Sequence, residues 1–191
     1  MTSGIMTPHK SNRIGKKFML AFGRWWSITA LVISLAMLAT AWSFQLFGHL
    51  NPCHLCLKQR DIYWIAVGVS LVASVWALFT GAKGPPRVFS FVLFAIFLTG
   101  TALAIFHAGV ELKWWAGPQS CTASGAEISI DQMAAFLAGA SASAPMCDVA
   151  QWRMFGLSMA GYNAIASAIL AALSLLASMR FKSKFRSSRS Y

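Results

Sequence analysis

Charge is scarce in this chain, and acid is scarcer. Only 11% of its 191 residues are charged, against roughly 25% in soluble globular proteins, and Asp and Glu together number five. That deficit excludes an ordinary water-soluble domain. Cysteine is limited to Cys53, Cys56, Cys121 and Cys147. With one close pair and no second, a four-thiolate zinc site is disfavoured and no metal is expected. The residue after Cys56, which c-type haem attachment requires as histidine, is Leu57. The apolar runs contain no acid and no interruption of the kind that marks a transport path.

Apolar sequence fills the space that charge leaves. Hydrophobic residues make up 57% of the chain and mean hydropathy is +0.60. Four runs, about 25–47, 62–80, 88–106 and 154–179, each approach the ~20 residues that a helix needs to cross a hydrocarbon core. Backbone amides find no water there, so the runs must be helices or a closed barrel. Their unbroken apolarity, without strand alternation, selects helices. The expected fold is an all-α membrane protein, a four-transmembrane-helix bundle forming one membrane domain over residues 1–191.

Basic residues orient the bundle. The N-terminal arm (Lys10, Arg13, Lys16, Lys17, Arg24), the link between spans two and three (Lys83, Arg87) and the C-terminal tail (Arg180, Lys182, Lys184, Arg186, Arg189) carry no acid. All five acids lie in the other two polar segments, about 48–61 and 107–153. The positive-inside rule then makes both termini cytoplasmic and puts all four cysteines on the outward face of the membrane. The net charge of +11 is mostly this topology signal, and no nucleic-acid partner is expected. A cleaved signal peptide ending near Ala39-Thr40-Ala41 is the alternative for the first run. It is disfavoured because apolar sequence continues to Phe47 and its removal would leave an odd number of crossings.

Gly84-Pro85-Pro86 makes the link between spans two and three a tight break. The segment 107–153 is the one long loop and is expected to be functional. Ser129-Ile130-Asp131-Gln132 reads as a capping box. Met133, Phe136 and Leu137 follow on one face, predicting a short amphipathic helix on the bilayer that ends near Gly139. The small, flexible run from Ala140 to Pro145 leads directly to Cys147. Trp114, Trp115 and Trp152 fit an interfacial aromatic belt.

Thiols outside the cytoplasmic membrane default to disulfides. Proximity pairs Cys53 with Cys56 and Cys121 with Cys147, one of three connectivities. The small Cys-x-x-Cys ring suits an exchangeable redox pair, and the long-loop pair suits contact with a soluble protein. Arg60 lies one helical turn beyond Cys56 and shares its face. A permanent cation there can support a thiolate or a reduced quinone oxygen. His107, at the outer end of the third run, can donate to the same acceptor.

Pro52-Cys53-x-x-Cys56 followed by Gln59-Arg60, four spans, two further cysteines, and Cys147-Asp148-Val149-Ala150-Gln151-Trp152 running on to Gly156-Leu157-Ser158-Met159 together resemble the DsbB family of disulfide-bond formation proteins. The resemblance covers nearly the whole chain. It implies an enzyme that reoxidises a periplasmic DsbA-like thioredoxin-fold dithiol protein and passes the electrons to ubiquinone or menaquinone in the lipid bilayer. It further implies catalytic roles for Cys53, Cys56, Cys121 and Cys147. The Cys121 to Cys147 disulfide would be reduced by the partner, Cys56 would contact the quinone, and Arg60 and His107 would complete the quinone site. His54, Lys58 and the Trp114-Trp115 segment are features of only some branches. Two other readings compete. A quinone reductase of the vitamin-K-epoxide-reductase type is expected to place its Cys-x-x-Cys at a late span. A small membrane scaffold or transporter subunit with structural disulfides predicts no bound quinone.

Overall fold

A computed structural model describes residues 11–80, 86–118 and 146–180. Four long helices account for most of them: α1 (Ser11–Leu46), α2 (His54–Thr80), α3 (Arg87–Glu111) and α4 (Met159–Arg180). All four have the length and hydropathy of a membrane crossing, α1 from Trp25 onward. A two-stranded hairpin, β1 (Arg153–Met154) and β2 (Leu157–Ser158), immediately precedes α4. The predicted amphipathic helix at 129–139 and the link at 81–85 lie outside the described residues.

Helix boundaries depart from the apolar runs where polar groups cap or extend them. The second run begins at residue 62, yet α2 begins at His54. Cys53 is its N-cap: Sγ accepts the amide hydrogen of Cys56 at 3.3 Å, and the Cys53 carbonyl accepts from Leu57 at 3.0 Å. Sulfur therefore satisfies one of the helix's orphan donors. The third run ends near residue 106, yet α3 continues to Glu111. It stops because Lys113 turns left-handed at φ 60, with its amide returning to the Val110 carbonyl and that of Trp114 to Gly109. The fourth run begins near residue 154, where the chain first makes the hairpin. Phe155 at φ 50 and Gly156 at φ 81 form a two-residue turn with both φ positive, the geometry that matches strand twist.

The helices pack as a ring in which each contacts the next, α3 and α4 most extensively and α1 and α4 sparingly. Polarity is distributed as a bilayer requires. Ser34, Ser70, Ser167 and Ser174 are buried between helices together with Ala30, Ala66, Ala73 and Ala104, while Phe79 is 88% exposed on the outside. Small residues at the contacts let backbones approach, which is how helices gain packing when lipid is as apolar as their own surface. Gly100 is one such point, since a Cβ there would lie 3.3 Å from Ile62 and 3.5 Å from Ser167. Trp26, Leu93, Phe97 and Leu170 fill the centre.

Candidate redox site

Capping places Cys53 at the start of α2 with its sulfur over the helix N-terminus, and one turn of helix brings Cys56 back beside it. The two sulfurs are 2.8 Å apart, in hydrogen-bond contact, and both are free thiols. Cys53 is only 3% exposed. Its pKa is lowered from the ordinary thiol range to about 4. The hydrogen bond with Cys56 is the main cause; the hydrogen bond and charge of His107 and the Cys56 amide assist, and together they outweigh the opposing effect of burial. A thiolate at a helix N-terminus also gains from the macrodipole.

His107 reaches the pair from α3. Its Nε2 lies 3.6 Å from Cys53 Sγ and 3.6 Å from Glu111 Oε1. On the other side of the ring, Gln59 Nε2 donates to Nδ1 at 2.9 Å. Gln59 Oε1 accepts from Asn163 Nδ2 at 2.5 Å, and Asn163 Oδ1 accepts from Tyr63 Oη at 2.6 Å. Ser167 is 3.0 Å from the same phenol. This chain of polar groups runs across α2, α3 and α4, and its last donor fixes the histidine with its hydrogen on Nε2.

Arg60 shares the Cys56 face of α2. Its guanidinium donates to Gln45 Oε1 at 2.8 Å and lies 4.7 Å over the Trp42 ring, so α1 holds it in place. Beside it is a cavity of about 450 Å³. Met37, Leu38 and Phe44 of α1, Cys56, Arg60 and Tyr63 of α2, and Met159, Ala160 and Asn163 of α4 contribute to its wall. His107, Glu111 and Trp152 also line it. Trp152 is wedged between Phe44 and Tyr162, with centroids at 5.2 and 6.1 Å, so it is a wall of this cavity as well as a belt residue.

Cys147 is disulfide-bonded and 1% exposed, packed in one cluster with Cys53, Leu55 and Cys56. The segment carrying it is held down at two points. Lys113 Nζ meets Asp148 Oδ2 at 2.6 Å, and Gln151 Nε2 donates to the Asn51 carbonyl at 2.9 Å. Cys121 lies outside the described residues. Residues 23–177 match the family model of disulfide bond formation protein DsbB. The chain belongs to the DsbB family. No curated protein matches it.

DsbB membership makes the chain a thiol:quinone oxidoreductase of disulfide-bond formation, and a multi-pass membrane protein with four spans. The scaffold reading falls with that result. Soft donors from Cys53, Cys56 and His107 lie within 4.8 Å of one another. Two thiolates on one tetrahedral zinc would sit about 3.8 Å apart, so sulfurs at 2.8 Å are placed for exchange with each other instead.

The apolar runs contain no acid, but α3 continues beyond the third run and carries Glu111 into the bundle, where its side chain is 7% exposed. Sequence reasoning also passed over Gln45, Tyr63 and Asn163. Asn163 carried a readable signal, being a carboxamide inside an apolar run.

Proposed function

We propose that the Cys53–Cys56 pair passes electrons from the Cys147 disulfide to a quinone in the cavity beside Arg60, and that reduced DsbA-like protein supplies them on the periplasmic side. The observation that carries this reading is the position of the pair between two different surroundings. Cys147 packs against the pair, and both of its cysteines line an apolar cavity. An apolar wall with a few convergent polar groups suits a quinone ring with two carbonyl oxygens. A quinone bound there supplies an acceptor for two electrons and two protons.

The residues of the chain divide the remaining work. Cys121 exchanges with the partner dithiol and frees Cys147 as a thiolate. Cys147 attacks the sulfur of Cys53, a bond forms between them, and the bond from Cys53 to Cys56 breaks with the electron pair leaving on Cys56. Cys56 therefore becomes the thiolate that faces the cavity, where the Arg60 guanidinium supports negative charge. The partner's second thiol then attacks its bond to Cys121 and leaves oxidised, and the freed Cys121 attacks Cys147 and breaks its bond to Cys53, so the inner pair is left reduced and the Cys121–Cys147 disulfide is restored. Basic residues unaccompanied by acids at the termini and in the 81–87 link support cytoplasmic termini and periplasmic cysteines in an inner membrane. Either ubiquinone or menaquinone has the required head group.

The test is quinone reduction by purified protein supplied with a reduced thioredoxin-fold dithiol protein and a soluble quinone, followed by quinone absorbance. Turnover in the wild type and none in Cys56→Ser is expected. Equal rates in the two would refute the assignment.

A further inference from the structure

Glu111 is a carboxyl group buried at the end of a membrane helix, and the exchange steps above give it no task. Its nearest partner is His107 Nε2, the same atom that faces Cys53. Both distances are 3.6 Å. Gln59 occupies Nδ1 as a donor, so the ring presents one hydrogen, on Nε2, to two groups that each can be an anion. One hydrogen cannot satisfy two buried negative charges at once, and an unpaired buried carboxylate is costly. No other basic side chain serves Glu111 among the described residues. Lys113 pairs with Asp148, and Arg60, held from α1 by Gln45 and Trp42, makes no ion pair with Glu111.

We propose that Glu111 is the proton store of the inner cysteine pair, taking up the proton of the Cys53 thiol when the pair is reduced and releasing it toward the cavity when the pair is oxidised. In the reduced state the His107 hydrogen bonds the Cys53 thiolate, Cys56 is a thiol, and Glu111 is a neutral carboxylic acid. In the oxidised state the sulfurs are joined and carry no charge, so the His107 hydrogen turns to an ionised Glu111. Reoxidation then balances. The S–S bond takes shape as two electrons leave the sulfurs for the quinone, and its two protons come from Cys56 and from Glu111. The carboxyl lines the cavity, so the proton is stored beside its destination. His107 on the same helix, Cys53, Cys56, Arg60 and Tyr63 at and in α2, and Tyr162 of α4 are the ionisable groups that share the cavity with Glu111.

This inference rests on the reading of Cys53–Cys56 as the pair that faces a quinone, but its test needs no quinone, so the two can fail separately. Full-length protein in detergent is reduced with a chemical dithiol, and infrared difference spectra are recorded together with proton uptake in weakly buffered solution. Reduction of the wild type is expected to produce a protonated-carboxyl band and to take up one more proton per molecule than Glu111→Gln, in which the band is missing. His107→Leu keeps the carboxyl but removes the shared hydrogen, so there the band no longer changes with redox state. This second variant serves if Glu111→Gln does not fold. Equal proton uptake in wild type and Glu111→Gln, a band that persists in Glu111→Gln, or a redox-dependent band in His107→Leu would each overturn the proposal.

Discussion

Replacing Arg60 separates the two halves of the relay. Its guanidinium is fixed from α1 by Gln45 Oε1 at 2.8 Å and by the Trp42 ring at 4.7 Å, and its other N–H groups are available at the cavity wall. A hydrogen bond from a charged donor contributes about 1.5–3 kcal/mol, and each 1.4 kcal/mol is roughly tenfold in affinity. Arg60→Ala is therefore expected to raise the KM for quinone about 10- to 100-fold. Arg60→Lys keeps the charge but loses the planar fork and the stack on Trp42, worth about 0.5–1 kcal/mol at a partly exposed site. Its KM should fall between those of wild type and alanine. The assay varies soluble quinone at saturating reduced dithiol protein, and a separate stopped-flow measurement follows exchange between that protein and the Cys147 disulfide with quinone omitted. Exchange should be unchanged in both variants, because Arg60 lines the cavity and makes neither of the contacts that hold the Cys147 segment. A KM that stays constant while exchange slows would refute the placement of Arg60.

Three other outcomes follow from the geometry. The Cys53 thiol is lowered to about 4, so its thiolate exists above that pH and is lost as pH falls through it. The ultraviolet thiolate absorbance of reduced protein, taken as the difference from Cys53→Ala, should persist at pH 6, and a midpoint near the ordinary value of about 8.5 would contradict the site electrostatics. A Cβ on Gly109 would collide with the Trp115 ring, which stacks on Phe106 and donates to its carbonyl at 2.9 Å. Gly109→Ala should thus lower thermal stability by about 1–3 kcal/mol, and Trp115→Ala in that background should add less than it does alone. Tyr63→Phe removes the 2.6 Å donor to Asn163 and should cost about 1–2 kcal/mol by detergent melting curves; an unchanged melting temperature would show that the polar chain does not tie α2 to α4.

The four crossings were legible because twenty or so apolar residues in lipid admit one solution. Cys53, Cys56 and Arg60 were legible because their spacing is one helical turn, and the structure places Cys53 as the N-cap of α2 and the other two on its first two turns. The boundaries were not legible, since hydropathy reports where lipid begins and not where helical hydrogen bonding ends. Sulfur capping by Cys53 and the continuation of α3 to Glu111 both occur in sequence too polar to read as membrane. The partners of His107 were hidden for another reason. Gln59, Asn163 and Tyr63 lie on helices whose relative rotation is set by packing of serine, alanine and glycine at the interfaces, which no single run reveals.

The same contacts explain why the cavity opens where it does. At the end of the bundle away from the cysteines, Trp26 Nε1 donates to Ser174 Oγ at 3.2 Å and pins α1 to α4. Toward the cysteine end the fastenings go elsewhere. Arg60 ties α2 to α1 through Gln45, and Gln59 and Tyr63 tie α2 to α4 through Asn163. Helix α2 is thus bonded to α1 beside it and to α4 across the bundle, while residues 37–45 of α1 and 159–166 of α4, helices joined at their far ends, line the cavity. Polar groups in a bilayer bond to one another for want of water. Here their pairing also decides which two helices are left unfastened, so the network that orients His107 toward Cys53 belongs to the same set of contacts that shapes the space beside Cys56. A substitution within that network should therefore move stability and quinone KM together, whereas one at Trp26, remote from the cavity, should move stability alone.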